Sequence, residues 1–185
     1  MKERTQRVQF RDFSTLSPED RERGERSKVN GQVINIFRVL MNHPLLAREW
    51  GRFGAYILSD RQTLAPRERE MAILRIGWLN QSPYEFEQHV RISKQLGISD
   101  DEIERIQKGP KAGWNQQDAA ILQAADDLFE NSIVSDETWK TLSSRYNTQQ
   151  MMDLIFTIGQ YNLVSWALNS LGVPLDDFLP GAKKS

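Results

Sequence analysis

The sequence predicts an all-α protein, and three observations carry that expectation. Apolar residues recur at spacings of three and four, as in Val33, Ile36, Phe37 and Leu40. Helix starts are marked by Ser17-Pro18-Glu19-Asp20, Ser99-Asp100-Asp101-Glu102 and Asn115-Gln116-Gln117-Asp118, and helix ends by Gly97, Gly109-Pro110 and Gly172. No strand-like alternation of useful length occurs. The 185 residues suit one domain with a core.

Residues 1–28 are charged and poor in aliphatic side chains. They read as an N-terminal extension, with a short capped helix after Ser17. Phe10 and Phe13 are the residues that would clamp it on a neighbour, and a frayed terminus is the alternative. A helical domain over 29–178 follows, then a loose tail over 179–185. Within the domain, Asn42-His43-Pro44 ends a first helix, since a residue before proline resists the helical region. His43 reads as a helix-end residue. The next helix carries Leu45, Leu46, Trp50, Phe53 and Ile57. Its Gly51 and Gly54 each cost about 1 kcal/mol relative to alanine, which points to close helix contact or to room for a ligand.

Pro66 opens a helix whose run Met71, Ile73, Leu74, Ile76, Trp78 and Leu79 is dense enough for the centre of the molecule. Ser82-Pro83-Tyr84-Glu85 has the form of a capping box opening the following helix. Further helices begin at Ser99, near Asn115, at Ser135 and at Thr148. The last, through Met151, Leu154, Ile158, Tyr161, Val164 and Leu168, is apolar nearly all round and should be buried on most faces.

Composition excludes several functions. A net charge of −1, with basic residues scattered among acids, gives no electrostatic case for nucleic acid. No apolar run approaches the ~20 residues that span a bilayer. The N-terminus lacks the apolar segment of a signal peptide, so a cytoplasmic protein is expected. With no cysteine, disulfides, thiol catalysis and thiolate metal sites are excluded. No metal-ligand cluster and no cofactor motif is present, and neither a metal nor an organic cofactor is expected.

Candidate chemistry concentrates between Glu70 and Val90. Glu85 and His89 are four residues apart and share one helical face, with Ser82 a turn earlier. His89 is the natural acid/base, because its ordinary pKa is about 6.5. Either Glu85 or Glu70 would orient and charge it, or Glu70 would itself be the acid/base. Ser82 either caps the helix or, with the free amides beyond it, holds an anionic oxygen. Arg75 lies inside an apolar run and needs a partner: an acid such as Glu70, or a substrate carboxylate gripped by its planar fork. Tyr84 lies beside this set. In the last helix, Tyr161 and Asn162 either satisfy core hydrogen bonds or line a pocket opposite His89.

The order Glu70, Ser82, Glu85, His89, with the run Glu85-Phe86-Glu87-Gln88-His89-Val90, resembles the carboxymuconolactone decarboxylase and alkylhydroperoxidase D superfamily over roughly residues 30–175. In the peroxidase branch the positions of Ser82 and Glu85 are both cysteine, so this chain is similar to a cysteine-less, decarboxylase-like branch. The resemblance implies an alkylhydroperoxidase D-like helical bundle assembled as a homotrimer or homohexamer. It also implies cofactor-independent decarboxylation of a small unsaturated acid or lactone in aromatic catabolism. Catalytic Glu70, Ser82, Glu85 and His89, and substrate-binding Arg75, Tyr84, Tyr161 and Asn162, are the expected site. An isomerase, a lactone hydrolase, a carbon–carbon lyase or a non-catalytic binding or assembly protein remain alternatives on the same residues. The run Gln160-Tyr161-Asn162 departs from the tail pattern of the decarboxylases, which puts the particular substrate in question.

Overall fold

The computed structural model describes residue 1 and residues 4–182. Among these, the chain is helical apart from one two-residue hairpin, β1 (Lys28–Val29) and β2 (Gln32–Val33), turned at Asn30-Gly31. Both turn residues have positive φ, the backbone that an Asn-Gly hairpin turn requires. Strands of two residues are too short to show an alternation in the sequence.

The helices are α1 (Pro18–Glu25), α2 (Asn35–Leu40), α3 (Pro44–Ile57), α4 (Pro66–Leu79), α5 (Pro83–Gln95), α6 (Asp100–Lys108), α7 (Gln116–Asn131), α8 (Asp136–Ser143) and α9 (Thr148–Leu171). Local chemistry fixes their starts. Ser17, Ser99, Asn115, Ser135 and Asn147 each accept a bond from a backbone N–H inside the helix they open. The last helix is capped by Asn147, one residue before the Thr148 expected. His43 is a helix-end residue as read: its Nδ1 accepts from the Leu46 N–H at 3.3 Å.

Helix α4 is the centre of the molecule. Residues 68–77 are all buried, and α5, α6, α7 and α9 pack around them. A helix enclosed on every side must satisfy its polar side chains internally. Arg75 does so completely. Its fork donates to both Asp126 carboxylate oxygens at 2.6 and 3.0 Å, and its remaining nitrogen donates to the Ile106 and Gln107 carbonyls at 3.0 and 2.8 Å. This corrects the substrate-carboxylate role for Arg75, and Asp126 replaces Glu70 as its partner. The guanidinium ties α4 to α7 and to the end of α6.

Two further expectations change. The N-terminal arm lies on its own chain: the Arg7 N–H donates to the Leu171 carbonyl at 3.0 Å, and Phe10 and Phe13 pack onto apolar clusters built from α2, α3 and α9. The crossing needs glycine at 172, whose φ is +66° and whose side-chain position is filled by the Thr5 carbonyl. In the expected tail, Leu179 is buried, while residues 183–185 lie outside the described residues. Helix α9 is not enclosed. Met152, Phe156, Leu163 and Trp166 are 50–58% exposed along one face, so an element that reads as buried from its composition presents an apolar stripe. No helix among the described residues is long and apolar enough to cross a membrane.

Candidate active site

Helices α4 and α5 bring the predicted acid/base residues together. Pro83 at the first position of α5 sets the helix direction, and the i, i+4 spacing then places Glu85 and His89 on one face. Glu70 reaches them from α4. Its Oε2 lies 2.6 Å from His89 Nδ1, and Glu85 Oε1 lies 3.0 Å from Nε2. Both glutamates therefore contact the imidazole, one at each nitrogen, which resolves which of the two is its partner. The Nδ1 contact is an aligned hydrogen bond. The Nε2 contact is an ion-pair approach in which Glu85 Oε1 accepts no aligned bond. All three side chains are at most 6% exposed.

Burial opposes a charge on His89, but Glu70 and then Glu85 outweigh it and push the pKa up to about 10. At neutral pH the residue is an imidazolium between two carboxylates. In that form the ring can donate a proton and has no free nitrogen to accept one. Stability follows the same linkage. A histidine charged in the fold and free in the unfolded chain contributes its full stabilisation below about pH 6.5 and loses it as pH rises through about 10. The midpoint of thermal unfolding is expected to fall steadily across that window. The fall should be largely absent in His89→Gln, measured by circular dichroism at each pH.

The triad forms part of the wall of a cleft of about 290 Å³ between α3, α5 and α9. Glu85 and His89 reach it; Glu70 is fully buried behind them. The Tyr161 ring stands edge-on to the imidazole, centroids 4.8 Å apart at 83°, and lines the cleft, as its pocket reading requires. Tyr84 also borders it, with its hydroxyl donating to Asp176 Oδ2 at 2.7 Å and accepting from the Ile36 N–H at 3.2 Å. Burial and the Asp176 charge hold that phenol well above its ordinary pKa, so it stays a donor. Gly51 and Gly54 of α3 face the cleft with open space where a side chain would begin. Among the described residues no other helix of the chain closes on these two positions.

Besides Arg75, two predicted site residues lie elsewhere. Asn162 accepts from the Asn80 side chain at 2.7 Å and ties α9 to the end of α4, away from the cleft. Ser82 is fully buried off the cleft, and its hydroxyl makes no hydrogen bond. The capping box does not form either. Glu85 turns to His89 and cannot reach back, while the Ser82 N–H is already taken by the Gly77 carbonyl at 3.1 Å. Residues absent from the expected site also line the cleft: Gln88, Arg91 and Gln160. Gln88 was readable, since it neighbours His89 and lies one turn after Glu85. Arg91 gave no signal beyond a charge on an amphipathic helix.

The carboxymuconolactone decarboxylase family model matches residues 44–127, which include Glu70, Glu85, His89 and both cleft glycines. Solved structures share the fold. An uncharacterised peroxidase-related protein from Ralstonia eutropha JMP134, described as an alkylhydroperoxidase AhpD core, is 21% identical over 92% of both chains, with a TM-score of 0.81. A peroxidase-related protein from Silicibacter sp. TM1040 is 15% identical over 98% of both, also at 0.81. A protein of unknown function from Agrobacterium tumefaciens is 16% identical over 74% of this chain and 94% of its own, at 0.69. No curated protein matches. The family match over residues 44–127 and the shared fold make the chain similar to the carboxymuconolactone decarboxylase and alkylhydroperoxidase D-like proteins, and the chain has no cysteine.

Proposed function

We propose that the chain is a cofactor-independent proton-transfer enzyme of the decarboxylase type, acting on a small unsaturated acid or lactone. The observation that carries this reading is the position of His89, held between Glu70 at Nδ1 and Glu85 at Nε2 on the wall of a largely apolar cleft. A weakly solvating cleft favours charge spread over a conjugated system relative to charge localised on a carboxylate. The carbon–carbon bond to the departing carboxylate breaks, its electron pair enters the conjugated system, and carbon dioxide leaves. The resulting dienolate takes a proton from the Nε2 end of the triad, the end that carries Glu85 at the cleft. Glu70 holds the ring and stabilises its charged form, and solvent restores the proton. Dithiol peroxide reduction is excluded by composition, because both cysteine positions are occupied by Ser82 and Glu85.

The test is release of carbon dioxide from 4-carboxymuconolactone and a panel of unsaturated carboxylactones, with the parent protein and His89→Gln. Release by the parent alone supports the reading. Conversion without carbon dioxide would replace it by an isomerase or lactone hydrolase on the same triad, and panel compounds recovered unchanged would replace it by a binding or assembly role.

We also propose that a second copy of the chain covers the exposed face of α9. Met152, Phe156, Gly159, Leu163 and Trp166 follow one another at spacings of four, three, four and three, the period at which helices pack along a seam. Phe156 beside the open surface of Gly159 offers a knob and a hole on the same face. Sedimentation velocity is expected to show an oligomer that Phe156→Glu dissociates. A parent protein that sediments as a monomer at micromolar concentration would overturn this.

A further inference from the structure

Among the described residues the cleft carries one arginine, and none of them gives its guanidinium a hydrogen bond or a carboxylate. Arg91 is half-buried on α5, two residues beyond His89, and lines the cleft. Its Nε is buried without a hydrogen-bond partner, and among the described residues no carboxylate pairs with its guanidinium. Its guanidinium lies over the Phe178 ring, with Cζ 5.9 Å from the centroid. The other enclosed arginines each have a partner, although buried Arg69, whose Nε also makes no hydrogen bond, has only Glu70 Oε1 at 3.8 Å. Arg75 is fully bonded, Arg67 pairs with Glu102 and Asp118, and Arg105 donates to the Ala112 and Gly113 carbonyls. A guanidinium N–H withdrawn from water is held at a cost unless an acceptor meets it.

The rest of the wall limits what that acceptor belongs to. Ile36, Phe37, Trp50, Leu58, Ile92 and Val164 make it largely apolar, and Gly51 and Gly54 leave α3 without side chains there. At the triad, Glu70 and Glu85 are met by His89 and by Arg69, whose Nε lies 3.8 Å from Glu70 Oε1, so the triad offers a second anionic group on the ligand no unpaired cation.

We propose that the cleft binds a monoanion with a flat apolar body, and that Arg91 is its anchor, gripping a carboxylate or an enolate oxygen through the planar fork. This deepens the reading above and rests on the same cleft.

The test is equilibrium binding by titration calorimetry, with trans-cinnamate as the probe, neutral cinnamamide as its uncharged counterpart and 4-carboxymuconolactone as the polar dianion. The parent should bind cinnamate more tightly than either. Arg91→Gln should weaken cinnamate by about tenfold or more while leaving cinnamamide unchanged. Arg91→Lys, which keeps the charge and loses the fork, should fall between, and circular dichroism should show both variants folded. Equal binding of acid and amide, tighter binding of the dianion, undiminished binding by Arg91→Gln, or no binding of cinnamate by the folded parent at millimolar concentration would each overturn the proposal. Binding is read without turnover. Cinnamate held through Arg91 by a protein that releases no carbon dioxide would remove the decarboxylase reading and keep the anchor.

Discussion

Turnover of the substrate found by the carbon dioxide assay is expected to fall by about 10²–10⁴-fold in His89→Gln, the usual contribution of a positioned acid. Glutamine is the informative replacement. It keeps an amide donor for Glu70 and much of the volume, so the loss reports the proton and not the fold. His89→Ala adds a second effect. It leaves Glu70 and Glu85 buried around a void with no cation between them, and removing one partner of such a cluster costs about 3–5 kcal/mol. Rates measured beside thermal melts separate the two effects. A His89→Gln protein that melts cooperatively and keeps full activity would remove His89 from the chemistry. Glu70→Gln is expected to act in the same direction, because the imidazolium loses the closer of its two counter-charges, at 2.6 Å.

The largest loss of stability is expected at Arg75. Arg75→Met strands Asp126 and the Ile106 and Gln107 carbonyls, all served by one guanidinium whose side chain is 9% exposed. A cost of about 3–5 kcal/mol follows, which for a chain of this length lowers the melting temperature by about 10 °C or more. Activity per folded molecule should not change. The double variant Arg75→Met/Asp126→Leu should recover much of the loss, since it removes the stranded carboxylate. An Arg75→Met protein that melts like the parent but binds substrate weakly would reverse the assignment and return Arg75 to the site.

The contrast between Arg75 and Arg91 shows how far the sequence could be read. Helix starts were legible because Ser17, Ser99 and Asn115 act on a backbone N–H within a few residues, so the cause lies inside the motif. The central burial of α4 was legible from its unbroken apolar run. The triad was legible as a set of candidates, since i, i+4 geometry makes neighbours of Glu85 and His89; Glu70 reaching Nδ1 from another helix required the fold. Ser82-Pro83-Tyr84-Glu85 was misleading. Its local capping bonds lose to a tertiary partner, the imidazole, which takes the glutamate that the box needs. Arg75 depends on Asp126, 51 residues away, and no local pattern encodes that pairing. Arg91 is the reverse case: an ordinary charge in the sequence becomes notable only when the fold leaves it on a cleft with no counter-ion among the described residues. Composition likewise could not separate the enclosed face of α9 from the exposed one.

The account turns on a charged His89 at neutral pH. The direct measurement is nitrogen-15 NMR of the His89 ring across pH 5 to about 11, assigned by comparison with His89→Gln. The predicted result is an imidazolium, with both ring nitrogens protonated, that persists through neutrality and titrates only near pH 10. A ring already neutral at pH 7, titrating near the ordinary histidine value of about 6.5, would contradict it and leave Glu70 and Glu85 clamping an uncharged ring with no acid to offer.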